Sequence, residues 1–172
     1  GFINTLVQLS SKVQHEVCFT IGHGELDIND ASEIGTSTFR EALEKQNYTA
    51  RTINLLREGE IPESCTATLI LGPQMDFQSA ELQIVAKGVA QDRDLVVMLD
   101  PGYTPNLAKD MERYGIIVGD DLVLEQNPKY QMVNGDISYV ILDTDSLLPH
   151  PVFSLRNPML IMRMVRSVDA DP

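Results

Sequence analysis

The chain has 172 residues, 43% hydrophobic and 22% charged, which is the composition of an ordinary globular domain with a core of its own. Thirteen Lys and Arg against 25 Asp and Glu leave a net charge of −12, which excludes a surface built for phosphate backbones, so nucleic acid is not an expected partner. There is no C-x-x-C pair, no zinc ligand set and no long apolar span, which excludes a zinc module and a membrane helix within these residues.

Phe2, Ile3, Leu6, Val7, Leu9 and Val13 fall largely on one helical face, which predicts a short amphipathic helix over 2–13. Residues 16–21 form a short apolar run stopped by Gly22, the pattern of a buried strand. The loop that follows, Gly22-His23-Gly24-Glu25, carries an imidazole and a carboxylate. An open α/β sheet presents ligand and partner sites at the carboxyl ends of such strands. A polar, acidic span then runs from Leu26 to Gly35. Thr38 with Glu41 matches a capping box for a helix that turns Phe39, Ala42 and Leu43 inward and closes at Asn47-Tyr48.

Thr49 to Leu55 predicts the second strand, with an exposed turn at Arg57-Glu58-Gly59-Glu60. The third strand is Ala67 to Leu71, ended by Gly72-Pro73, and its helix, about 79–90, spaces Leu82, Val85, Ala86 and Val89 at helical intervals. Leu95 to Leu99 is apolar throughout, as expected of a parallel strand covered on both faces. Asp100-Pro101-Gly102 breaks it, Thr104 is the expected cap of the next helix, Pro105 takes its first position and Gly115 stops it. Short strands are expected at Ile116–Val118, Leu122–Leu124 and Ile137–Leu142, with a last one over Met159–Val165. Strand–helix alternation through residue 124 predicts a single α/β domain, a parallel sheet with helices on both faces.

Chemistry concentrates at few places. His23 with Glu25 could act as an acid–base pair, or His23 could simply hydrogen-bond its own loop while Glu25 caps a turn. A phosphate cradle of the G-x-G-x-x-G kind fails, because Asp27 stands where the third Gly belongs and further carboxylates follow. Asp27, Asn29, Asp30 and Glu33 offer hard oxygen ligands, but without the spacing of an EF-hand, and a solvated acidic loop is the expectation. Asp143 and Asp145 suit a strand-end turn, and Met159, Met162 and Met164 suit a core or a sheet edge, or an adaptable interface. Cys18 and Cys65 are expected as buried free thiols; a disulfide would need Cα atoms within about 7 Å. No catalytic residue, metal or cofactor is assigned. His23, Glu25, Asp100 and Tyr103, on loops at the carboxyl ends of strands, are the expected ligand or partner surface.

An ordered set of short motifs resembles a known family. It comprises Phe2 to Val13 leading into Val17 to Glu25, then Ile61-Pro62, Leu69-Ile70-Leu71-Gly72-Pro73 and Glu81. Val96 to Pro101, Leu107, Tyr114-Gly115-Ile116 and His150-Pro151 complete it. Together they are similar to the auxiliary domain of ABC-type transport systems, best known from gliding-motility-associated auxiliary proteins. Two positions depart from the pattern: Gln91-Asp92-Arg93 where a Gly-Gly pair is common, and Gln78 where a Ser often caps the helix.

The resemblance implies a flavodoxin-like or glutamine-amidotransferase-like α/β fold. The amidotransferase-like enzymes need a Cys nucleophile on a sharp strand-to-helix turn, and Asp100-Pro101-Gly102, the turn here most like such an elbow, holds no Cys. A non-catalytic interaction domain is therefore expected, with a small-solute (saccharide-like) binding module as the alternative and a hydrolase using His23 and Glu25 behind it. The implied partners are the ABC permease and ATPase subunits, and the implied location is the extracytoplasmic, periplasmic side of the inner membrane. The chain opens on Gly, which fits an excised soluble fragment of a longer, membrane-anchored parent.

Overall fold

A computed structural model describes residues 15–32, 35–128, 130–131, 135–142 and 160–170. The expected helix over 2–13, the Asp143 and Asp145 turn and the His150-Pro151 turn lie outside the described residues. The chain divides into two compact units, one of residues up to 99 with 103–107, the other of 100–102 with the residues from 108 on.

The first unit is built on strands β1 (His15–Thr20), β2 (Tyr48–Ile53), β3 (Cys65–Leu71) and β4 (Asp94–Met98), all parallel, in the order β2-β1-β3-β4. This order coincides with the first four places of the doubly wound order 2-1-3-4-5. Its helices are α1 (Ser37–Lys45), α2 (Leu55–Glu58), α3 (Ser79–Val89) and the start of α4 (Pro105–Asp110). The connections β1–α1–β2 and β3–α3–β4 run in opposite directions along the sheet. Right-handed crossovers therefore place α1 and α3 on opposite faces.

The α1 face carries Val17 and Phe19 of β1 with Leu69 and Leu71 of β3, closed by Ile28 from the loop after β1 and by Leu43 of α1. Phe39 of α1 meets Phe19 edge-on at 6.0 Å. The other face buries Cys18, Thr68 and Ile70 from the sheet, with Leu82 and Val85 of α3. The parallel α/β sheet is thus the one expected, but four local expectations change. Thr38 lies inside α1, whose N-cap is Thr36 with no side-chain cap, so the Thr38–Glu41 box does not form. The predicted second strand ends early, because Asn54 accepts the Arg57 N–H at 3.0 Å and starts the short helix α2. β4 is not covered on both faces: Val96 and Met98 are exposed. Finally, among the described residues the parallel sheet stops at β4 and takes in no strand from 99 to 124.

In the second unit, a 3₁₀ turn at Met111–Tyr114 ends on Gly115 (φ 72°) and feeds β5 (Ile116–Val118). β5 pairs antiparallel with β8 (Val168–Ala170), and β6 (Tyr139–Leu142) pairs antiparallel with β7 (Leu160–Arg163). Residues 122–124 run without strand structure, although the Val123 N–H donates to the Val165 carbonyl at 2.8 Å. The β5–β8 pair is pinned by Arg166, whose Nε donates to the Gly119 carbonyl at 2.6 Å, and by Ser167, whose hydroxyl donates to Asp121 at 2.7 Å. A Cβ on Gly119 would lie 2.2 Å from the Ser167 hydroxyl, so a side chain there would displace Ser167 from Asp121.

The Tyr114 hydroxyl and one Asp110 carboxylate oxygen are buried without a hydrogen-bond partner. Burial first, and the Asp110 charge second, push the Tyr114 phenol above its ordinary 10.0. A raised folded value favours the neutral phenol, so the stability it contributes is intact below about pH 10 and is lost as pH climbs through the folded value. Tyr114→Phe is expected to remove that alkaline slope, while changing stability at neutral pH by no more than about 0.5 kcal/mol, because the hydroxyl makes no bond to lose. Urea unfolding at neutral and alkaline pH measures both; a large loss at neutral pH would show a bonded hydroxyl.

Candidate functional site

The site grows from the end of β1. Gly22 and Gly24 adopt φ of 124° and 78°, conformations that a side chain resists, and so fold the loop back over the sheet edge. A Cβ on Gly22 would meet the Asn54 side-chain amide at 2.7 Å. That amide donates to the Ile21 carbonyl at 3.2 Å. The loop is stitched to the end of β3. The His23 carbonyl accepts from the Gln74 and Met75 N–H groups at 2.7 and 2.9 Å, and the Leu26 N–H donates to the Leu71 carbonyl at 3.0 Å.

The side chains close the same crevice. His23 is buried, 7% exposed, and its ring stacks on Phe77 with centroids 3.9 Å apart. Nδ1 faces Glu25 Oε1 at 3.2 Å and Nε2 faces Glu81 Oε1 at 3.0 Å. Each carboxylate uses its other oxygen on a backbone N–H: Glu25 accepts from His23 at 2.7 Å, and Glu81 from Gln78 at 3.0 Å. Because both ring nitrogens look onto acceptors, a proton must sit between the ring and each carboxylate for both contacts to be hydrogen bonds. Glu81 stands in the first turn of α3, where a carboxylate also complements the helix dipole.

A doubly wound sheet opens a ligand crevice where the strand order reverses, here between β1 and β3. This chain fills that place with its own imidazole, two carboxylates and a phenyl ring. Both ring nitrogens of His23 face carboxylates, Nδ1 towards Glu25 and Nε2 towards Glu81. What the arrangement does is clamp the loop after β1, the loop after β3 and the first turn of α3 to one another.

The loop after β3 has a second anchor. Asp76 accepts from the N–H groups of Asn106 at 2.8 Å and Leu107 at 3.2 Å, so Asp76 caps α4. Thr104, the expected cap, is buried with its hydroxyl unpartnered. Asp76→Ala is expected to cost about 1–2 kcal/mol in urea unfolding, as the loss of a helix cap does, whereas Thr104→Val should cost less. The reverse order would restore Thr104 as the cap.

Of the residues expected to share a surface, the structure brings His23 and Glu25 together, the first buried and the second half-buried with its side chain covered. Tyr103 belongs to the same unit and is 52% exposed. Asp100 is exposed and belongs to the second unit, where its backbone carbonyl accepts from Arg166 at 3.4 Å. Phe77 and Asp76 carried no expectation of a role, and Glu81 entered only as part of a motif. The one local signal for Glu81 was its place three residues after the N-cap Gln78.

Asp27 and Asp30 spend their carboxylates on local turns, accepting from the Asn29 and Ser32 N–H groups at 2.8 Å each; Glu33 lies outside the described residues. The two Ser32 hydrogen bonds hold the Asp30 carboxyl below its ordinary 3.8. Cys18 and Cys65 are not free thiols. They form a disulfide between the adjacent strands β1 and β3, with Cα atoms 5.6 Å apart. Glu16 lies beside the two sulfurs, its ligand atom and theirs all within 4.8 Å of one another, but sulfurs joined to each other are spent as metal ligands.

Fold and site together define an α/β domain with a parallel sheet whose switch point is closed by its own side chains. The chain belongs to the family described as an ABC-type uncharacterized transport system, an auxiliary family whose model matches residues 14–152. A solved structure titled "mmIFT52 N-terminal domain" is similar over 90% of this chain and 68% of that chain, with a TM-score of 0.69 and 18% identity, a likeness of fold. No curated protein matches the chain in sequence.

Proposed function

We propose that this chain is a non-catalytic interaction domain within its ABC-type transport system, held on the extracytoplasmic side by a membrane-anchored parent and working against the permease and ATPase. One observation carries the reading: the crevice where such a sheet would bind a ligand is occupied by His23, locked between Glu25 and Glu81 on a stacked Phe77. A buried disulfide supports the compartment, because such bonds persist where the surroundings oxidise thiols. Among the described residues no helix is long and apolar enough to cross a membrane, and in this reading the anchor belongs to the parent outside them.

The test is made in the full-length parent. Deleting this domain is expected to release permease and ATPase from the purified complex or to uncouple ATP hydrolysis from transport. Unchanged assembly and transport would sink the proposal. So would a His23→Asn protein that assembles fully yet has lost turnover of a small molecule that the unaltered domain performs alone.

A further inference from the structure

Resting on the extracytoplasmic part of that reading, we infer that this chain is the substrate of an external disulfide donor, which joins Cys18 to Cys65 before β3 packs against β1. The chain has two cysteines, so one pairing is possible and no second pair within these residues can pass oxidation on. The chemistry required is therefore oxidation from outside, not reshuffling. A thiolate of the chain attacks one sulfur of the donor, a mixed disulfide forms and one donor thiolate leaves. The second cysteine then attacks the mixed disulfide, closing Cys18–Cys65 and releasing the other donor thiolate. The two thiol protons and two electrons end on the donor, which leaves as a dithiol.

Both steps bring a donor sulfur into contact with a sulfur of this chain, and the folded domain offers no such contact. Cys18 and Cys65 are 0% and 1% exposed. Cys18 lies on a strand flanked on both sides, by β2 and β3, and its face of the sheet also buries Leu82 and Val85 of α3. Cys65 opens β3 behind a turn, its N–H donating to the Pro62 carbonyl at 3.0 Å. The Glu16 carboxylate, within 4.8 Å of both sulfurs, would repel the thiolate that exchange requires.

The cysteines stand 47 residues apart, and the segment between them includes all of β2. Donor and chain sulfurs can meet only while this part of the sheet is open, and packing then seals the bond. The order is delivery of an open chain, oxidation, then packing. It puts the donor in the compartment where thiols are oxidised, on the same side as the finished domain.

The test follows the full-length parent in its own cells. Newly made chains are pulse-labelled, blocked with N-ethylmaleimide at intervals, and scored by mass spectrometry for the Cys18 and Cys65 peptides, with protease resistance of the domain measured in parallel. The disulfide should lead protease resistance at every early time. In the single variants Cys18→Ala and Cys65→Ala the remaining thiol has no partner to resolve the mixed disulfide. Each should hold the donor as an adduct, at ten-fold or more over the unaltered parent, and neither needs to fold for this. The mass of the adduct tells a protein donor from a small-molecule disulfide such as oxidised glutathione. Protease resistance ahead of the disulfide, or no adduct on either variant, would overturn the inference and leave the interaction role untouched. Cys18 and Cys65 found reduced in the mature parent would overturn it together with the extracytoplasmic location.

Discussion

Glu81→Ala is expected to lower the unfolding free energy by about 3–5 kcal/mol, the scale seen when one partner of a buried charged pair is removed. The carboxylate has two tasks, meeting His23 Nε2 at 3.0 Å and accepting the Gln78 N–H at 3.0 Å, and its side chain is 3% exposed. Loss of the cap alone accounts for about 1 kcal/mol. The rest comes from leaving the buried imidazole without the carboxylate that faces Nε2. Glu81→Gln keeps an acceptor oxygen for Gln78 and gives up only the charge, so its cost should fall between. A double-mutant cycle with His23→Ala should return a coupling of about 1–3 kcal/mol. Urea unfolding measures all of these. A Glu81→Ala cost near 1 kcal/mol, with no coupling to His23, would reduce Glu81 to an ordinary cap and undo the clamp.

The expected parallel strands formed because their signals are local. Runs at 16–21 and 67–71 stop at Gly22 and Gly72, that at 95–99 at Asp100-Pro101-Gly102, and the first stop placed the Gly-His-Gly-Glu loop at the carboxyl end of β1. What lay beyond reach was everything that depends on which strands become neighbours. Asp76 caps a helix 30 residues further along the chain, so Thr104, adjacent to Pro105, looked the better candidate. The Leu95–Leu99 run is equally apolar whether or not a helix lies over it, so its bare face left no trace in composition. β5 is only three residues long, and nothing in Ile116–Val118 says whether its partner runs parallel or antiparallel. The family signature did extend across these gaps, because it reads an ordered set of positions and not a local pattern.

The disulfide shows the same dependence, and it supplies the other large expected effect. Cys18 and Cys65 are separated by 47 residues, and only the adjacency of β1 and β3 brings them together. Closing a loop of that length restricts the unfolded chain enough to contribute about 4 kcal/mol in the chain-entropy model. The paired Cys18→Ala, Cys65→Ala variant should therefore unfold at much lower urea, by about 4–5 kcal/mol once the small cavities left by the sulfurs are added. Its m-value should rise, because an uncrosslinked unfolded chain exposes more surface. Reduction of the unaltered protein should be slow under native conditions, since the two cysteines are 0% and 1% exposed, and fast once urea opens the sheet. The buried clamp does not involve the sulfurs, so the variant should keep the loss caused by Glu81→Ala nearly additive. Equal stability with and without the disulfide, or free thiols titrating in the folded protein purified from an oxidising compartment, would remove the bond and with it the support it lends to an extracytoplasmic location.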